Sequence, residues 1–180
     1  MKKFLLDLDG PCSLFIHGAL KALNKEELID NYPQGASNLS EITGVPYPEM
    51  YKAIDSLKEN FWRNLEETPT FKELYNGLQE LGKVYFCTSP SLDSNSLKGK
   101  VLWLQDRFGF QFRDYIITYN KFLCASPNTI LIDDTLEQCQ SFIDNGGDAV
   151  QFPTALNSLG ESIPEKDRAK YVLAKIKEIL

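Results

Sequence analysis

FLLDLDG (Phe4–Gly10) decides how the rest of the chain is read. Three apolar residues, Phe4, Leu5 and Leu6, run straight into two carboxylates, Asp7 and Asp9, and then a glycine. Asp is a poor strand former and is rarely buried without a partner. Like charges this close repel, so the pair calls for a cation or a proton. A plain strand end closed by an Asp-Gly turn is the competing reading. The remaining sequence has to choose between them.

Working outward, short apolar runs of the same kind recur at Lys3–Leu8, Val84–Thr88, Tyr115–Thr118, Thr129–Ile132 and Ala149–Phe152. Their β-branched and aromatic content suits strands covered on both faces. Between them lie helical patterns. Thr68-Pro69 reads as a helix start, followed by a face of Phe71, Leu74, Leu78 and Leu81 that ends at Gly82. Val101, Leu104 and Phe108 mark a second helix before Gly109. Leu136, Cys139, Phe142 and Ile143 mark a third before Gly146, and the last runs from near Pro164 to the C-terminus. Alternating strands and helices predict an α/β fold, a Rossmann-like parallel sheet flanked by helices. One region breaks the alternation. After Gly10 no strand pattern appears for about 70 residues. There Ser13–Leu28 and Pro48–Leu65 read as helices, and Asn31–Gly44 as a polar loop. This predicts a small helical cap at 12–68, inserted after the first strand into a core formed by 1–11 and 69–180.

The 180 residues are 43% hydrophobic and 24% charged, ordinary for a globular protein. A net charge of −6 argues against an extended nucleic-acid surface or a membrane footprint. The four cysteines form no CxxC, and the lone His17 offers no His-Cys metal spacing. Cys87 and Cys139 sit inside apolar patterns and read as buried thiols of a reducing compartment. MKKFLLDLDG has too short an apolar run for a signal peptide, and no stretch is long enough to span a bilayer. A cytoplasmic location is expected. There is no GxxxxGK[ST], no GxGxxG and no EF-hand loop.

In a parallel sheet, ligands bind beyond the carboxyl ends of the strands. Those ends carry Asp7 and Asp9, Thr88-Ser89, Asn120-Lys121 and Asp133-Asp134. The set is chemically coherent. Carboxylates bind Mg²⁺, which keeps several waters and commonly shares a substrate phosphate. An ammonium and a hydroxyl neutralise and orient phosphate oxygens, and a carboxylate can attack phosphorus.

On four motifs in order, DLDG (Asp7–Gly10), CTSP (Cys87–Pro90), the lysine of YNK (Lys121) and LIDD (Leu131–Asp134), the sequence resembles the haloacid dehalogenase superfamily of phosphohydrolases. It is more narrowly similar to the 5'(3')-deoxyribonucleotidases and related small phage and bacterial phosphatases. That likeness rests on Phe15 five residues after DLDG, on CTSP, and on NFWRNLEETP (Asn60–Pro69). Pro11-Cys12-Ser13 replaces a more apolar stretch of those enzymes, and Thr135 stands where they carry Arg. The resemblance implies a Mg²⁺-dependent phosphomonoesterase with Asp7 as nucleophile and Asp9 as general acid and base. Asp9 would also offer its backbone carbonyl to the metal. Asp134 would be a direct metal ligand, and Asp133 either one through water or a partner behind the direct ligands. Thr88, with Ser89 beside it, would hold phosphate oxygens, and Lys121 would stabilise charge around Asp7. Phe15, Phe61 and Trp62 would stack on the base of a nucleoside monophosphate.

Each residue also has a plainer reading. Lys121 also reads as a solvated surface lysine, Asp133-Asp134 as a helix-capping pair, and Ser89 as a cap. The three aromatics are also core. Another small phosphate ester, a nucleic-acid 3' phosphate, or a non-catalytic binding module remain open alternatives, as do oligomeric state and base preference.

Overall fold

The computed structural model describes residues 2–35 and 38–180. Met1, at the start of the expected core, and residues 36 and 37, inside the stretch read as loop, lie outside the described residues. In chain order the elements are β1 (Lys3–Leu6), α1 (Phe15–Ala22), α2 (Leu39–Thr43), α3 (Tyr47–Ser56), α4 (Glu59–Arg63), α5 (Phe71–Leu81), β2 (Lys83–Thr88), α6 (Asn95–Phe108), β3 (Tyr115–Ile117), β4 (Thr129–Asp133), α7 (Leu136–Asp144), β5 (Asp148–Gln151), α8 (Leu159–Ser162) and α9 (Arg168–Ile179).

The five strands form one parallel sheet in the order β3-β2-β1-β4-β5, so β1 lies at its centre. Leu5 sits in register with Tyr85 of β2 on one side and Leu131 of β4 on the other. Successive side chains of a strand point to opposite faces. Phe4 and Leu6 accordingly join the larger core with Phe86, Ile130, Ile132 and the apolar stripes of α5, α6 and α9. Leu5, Cys87 and Leu131 face the other way and pack on Phe142 of α7. Burial on both faces explains why these strands read as continuous apolar runs rather than alternating ones.

Several boundaries differ from the sequence expectation. β1 ends at Leu6 rather than Leu8. The expected helix Ser13–Leu28 is confined to Phe15–Ala22 plus a 3-10 turn at Glu26–Leu28. Pro48–Leu65 is two helices, α3 and α4, broken where Lys58 takes φ 53°. The loop expected between them contains α2, capped by the Asn38 side chain, which accepts from Ser40 N and Glu41 N. Thr68-Pro69 does not start α5. Thr68 is instead spent on the chain crossing, its hydroxyl donating to Pro11 O and its N–H to Cys12 O.

That crossing organises the 12–68 region. The outgoing segment at Ser13-Leu14 lies beside the returning one at Glu66–Thr68, with Leu14 N donating to Glu66 O and Ser13 bridged to Glu67. The Trp103 indole of α6 donates to Leu65 O at 2.8 Å, fastening the return to the core. α4 and α6 meet closely at Gly99, where a Cβ would stand 2.5 Å from both Glu59 O and Trp62 Cβ. Among the described residues no helix is long and apolar enough to cross a membrane.

Gly99→Val should force these helices apart. Overpacking costs about 1–3 kcal/mol, and a chain of this size shifts by roughly 2–4 °C per kcal/mol. The melting temperature should therefore fall by about 2–12 °C by calorimetry. An unchanged value would show that the contact is slack.

Candidate active site

At the carboxyl end of the sheet, residues from the loop after β1, the end of β2, the segment after β3 and the end of β4 surround one cavity of about 930 Å³. Asp7 lies one residue beyond β1 and keeps a strand-like bond from its N–H to Ile132 O. Asp9 is reached through a turn rather than along a strand face, since the strand has already ended. Gly10 makes that turn at φ 93°, a region other residues rarely adopt. A Cβ there would lie 2.6 Å from Asp134 Oδ2, so the glycine also lets the turn after β1 pass against the Asp134 carboxylate. Cys12 and Ser13, at the segment where this chain departs from the nucleotidase pattern, tie the turn down. The Cys12 thiol donates to Asp7 O at 3.0 Å, and the Ser13 hydroxyl lies 3.2 Å from both Leu8 O and Asp9 Oδ1.

Lys121 is buried, not solvated. Its ammonium lies 2.8 Å from Asp7 Oδ1 and donates to Asp133 Oδ2 at 2.6 Å. Burial opposes its charge, but the two carboxylates outweigh burial and hold its pKa above the usual lysine range. The Asp7 contact is an ion contact without hydrogen-bond alignment, so Asp7 Oδ1 is a buried oxygen with no hydrogen-bond donor among the described residues. Asp133 is engaged at both oxygens, since Oδ1 accepts from Thr135 N at 2.9 Å. Asp133 thus makes an Asx turn ahead of α7, whose N-cap is Thr135, rather than capping the helix itself.

Asp134 has no ammonium partner among the described residues. Its carboxylate receives only a long bond from the Thr154 hydroxyl, 3.4 Å. Its backbone carbonyl is fixed by Gln151 and Asn157, each donating at 3.0 Å. Burial, then the neighbouring charges of Asp133 and Asp7, push its carboxyl pKa well above the ordinary value. Asp7, Asp133 and Asp134 offer carboxylate oxygens within 4.8 Å of one another. A carboxylate on Asp134 with no ammonium partner among the described residues and an all-oxygen donor set fit a hard divalent cation such as Mg²⁺. The Asp9 carboxylate stands apart from this cluster, bound instead to Lys100 at 2.5 Å.

Two other expectations change. Thr88 is fully buried, and its hydroxyl accepts from Lys100 at 2.9 Å; the cavity is lined by Ser89, Pro90 and Ser91, not by Thr88. Phe61 is buried and lines a separate cavity of about 400 Å³ beside His17. It meets Trp62 edge-on at 5.0 Å. Phe15 and Trp62 do line the main cavity, but they stack on each other, centroids 5.7 Å apart at 20°. Trp62 is 3% exposed, so packing claims most of its surface.

Lys100 was missed in the sequence, though its position carried a signal. Ser96, Gly99, Lys100, Trp103 and Leu104 form the buried stripe of α6, and a lysine in such a stripe needs an acceptor. Thr154, Gln151 and Asn157 carried no comparable mark.

No protein-family model and no curated protein matches the sequence. Among solved structures, a haloacid dehalogenase-like family hydrolase from Xanthomonas campestris aligns over 99% of this chain and 91% of its own, with 12% identity and a TM-score of 0.55. A phosphonoacetaldehyde hydrolase-like protein from Oleispira antarctica aligns over 99% and 84%, with 12% identity and a TM-score of 0.51. The chain has the haloacid dehalogenase-like fold: a parallel five-stranded sheet flanked by helices, with acidic strand ends at one edge.

Mg²⁺ should raise the melting temperature of the chelator-treated protein by several degrees, because binding to the folded state alone adds stability. Asp134→Asn should start from a metal-free melting temperature no lower than that of the unaltered protein and show no Mg²⁺ shift. A full Mg²⁺ shift in that variant would place the cation elsewhere.

Proposed function

We propose that this chain is a Mg²⁺-dependent phosphomonoesterase working through an aspartyl-phosphate on Asp7. The observation that carries the reading is the separation of two carboxylates two residues apart. Asp7 is paired with Lys121 and Asp9 with Lys100, and both open on the same cavity. Two carboxylates held separately on one cavity can take separate tasks, one as nucleophile and one as acid and base.

Asp7 attacks phosphorus while the bond to the leaving oxygen breaks, and Asp9 delivers a proton to that oxygen. Water then attacks the acyl phosphate, Asp9 takes its proton, and phosphate leaves with Asp7 restored. Lys121 offsets the charge that gathers around Asp7 during both transfers. The Ser89 hydroxyl and neighbouring backbone hold phosphate oxygens, with Thr88 acting behind them through Lys100. Asp7 and Asp134, with the charge of Asp133 behind them, would hold Mg²⁺, which would supply positive charge to the phosphate.

The helices within 12–68 serve as a cap and supply the far wall of the cavity, including Phe15, Tyr32 and Tyr51. A wall of aromatic rings facing a phosphate site suits a (deoxy)nucleoside monophosphate. With Phe61 turned away and Trp62 largely packed, Phe15 and the partly exposed Tyr51 are the rings left to meet a base.

Asp7→Asn should lower turnover by roughly a thousandfold or more with the fold intact, the scale of removing a covalent catalyst. Retention of about a tenth of the activity would end the nucleophile assignment. A screen of nucleoside monophosphates against p-nitrophenyl phosphate tests the substrate. Phe15→Ala should cost about ten- to a hundredfold on the nucleotide and much less on the nitrophenyl ester. Trp62→Ala should lower both rates together with the melting temperature. If Phe15→Ala behaves like Trp62→Ala, base stacking is not its role.

A further inference from the structure

Lys100 belongs to none of the motifs read from the sequence, yet it is 2% exposed and set among the reacting groups. Its ammonium donates to Asp9 Oδ2 at 2.5 Å, Thr88 Oγ1 at 2.9 Å and Ser89 O at 2.6 Å. An ammonium has three donors, and all three are used. The acceptors come from two different segments, the turn after β1 and the end of β2. The Trp62 ring of α4 faces the same ammonium at 4.8 Å. Next to Lys100, the close approach at Gly99 sets the spacing between α6 and α4.

Asp9 is held from both sides. Lys100 takes Oδ2, and the Ser13 hydroxyl lies 3.2 Å from Oδ1. Its side chain is 26% exposed at the cavity, so without these partners it is free to turn toward solvent. Packing alone asks for no charge here, since an apolar side chain of equal length would fill the space without the desolvation of an ammonium.

We propose that Lys100 is a positioning residue for the hydrolysis, holding the Asp9 carboxylate and the Ser89 backbone in register with the phosphate site and linking that register, through Trp62, to the inserted helices. The inference rests on the reading of Asp9 as the acid–base group. Misplacing a reacting group by about 1 Å costs on the order of a hundredfold, and that is the size of effect expected.

The test is a cycle of Lys100→Met, Asp9→Asn and the double variant. Values of kcat/KM, which report only steps up to phosphoryl transfer to Asp7, are measured on two substrate types. A nucleoside 5'-monophosphate or glycerol phosphate leaves as an alkoxide that needs Asp9's proton, whereas p-nitrophenyl phosphate leaves without one. Lys100→Met should cost about a hundredfold on the alkyl phosphate, less than about tenfold on the nitrophenyl ester, and less than about threefold in the Asp9→Asn background, the non-additivity of residues acting as a unit. Lys100→Arg, which keeps the charge, should recover part of the alkyl-phosphate loss, and Lys100→Gln should not. These two carry the same cycle if Lys100→Met does not fold. Equal losses on both substrates and in both backgrounds, with Asp9→Asn itself crippled, would overturn the role of Lys100 alone. An Asp9→Asn variant with intact turnover on alkyl phosphates would overturn the acid–base reading, and this inference with it.

Discussion

Four carboxylates crowd one edge of the sheet, and two buried ammonium groups keep them there. Lys121 joins Asp7 to Asp133, across β1 and β4, and Lys100 joins Asp9 to the end of β2. Each lysine therefore braces a pair of neighbouring strand ends against repulsion that would otherwise splay them. Removing one partner of such a buried pair costs about 3–5 kcal/mol, a large share of the ~5–15 kcal/mol that holds a typical domain folded. With all four carboxylates ionised, two negative charges remain in excess, one of them on Asp134, which has no ammonium partner among the described residues. That excess matches the charge of one divalent cation, so the electrostatic needs of the fold and of the proposed chemistry coincide.

The same edge explains how far the helices of the 12–68 region reach into the site. The chain leaves at Ser13 and returns at Thr68 along two segments that bond to each other, and Trp103 and Arg107 of α6 clasp the Leu65 carbonyl from the core side. Arg107 also pairs with Glu67 at 2.9 Å and lies over the Trp103 ring at 3.7 Å. The aromatic group at the base of these helices is consequently spent mostly on attachment. Phe61 and Trp62 pack, and the rings that face the cavity include Phe15 of α1 and Tyr51 of α3.

The strand order was not written in the sequence, but the strands themselves were, because burial on both faces leaves unbroken apolar runs such as TILI. The acidic strand ends were equally legible, since Asp has no reason to follow such a run unless a partner waits for it. Helix limits in the 12–68 region were not. The break at Lys58 depends on a positive φ that no local residue pattern announces, and Thr68 imitates a helix cap while bonding across the chain to Pro11. Lys100 was overlooked for a related reason. Val101, Leu104 and Phe108 mark an apolar face of α6, whereas the buried stripe shares only Leu104 with it and runs through Ser96, Gly99, Lys100 and Trp103. The aromatic residues show the limit of composition. Phe15, Phe61 and Trp62 are neighbours in space, but which ring faces a cavity is decided by packing with α6, far away in the chain.

The place of β1 in the middle of the sheet bears on how the molecule comes into being. β1 is the first strand to be synthesised, yet its partner residues lie at Lys83–Phe86 on one side and Thr129–Ile132 on the other. Such distant pairings carry a large loop-closure cost and slow the search for the native sheet. At about 5–20 residues per second on a ribosome, the central strand waits for several seconds with its β4 side open. Asp7 then has neither Asp133 nor Asp134 beside it, and the acidic edge assembles only when β4 docks. A nascent chain short of Thr129 would carry the DLDG motif in full and still have no place to hold a cation.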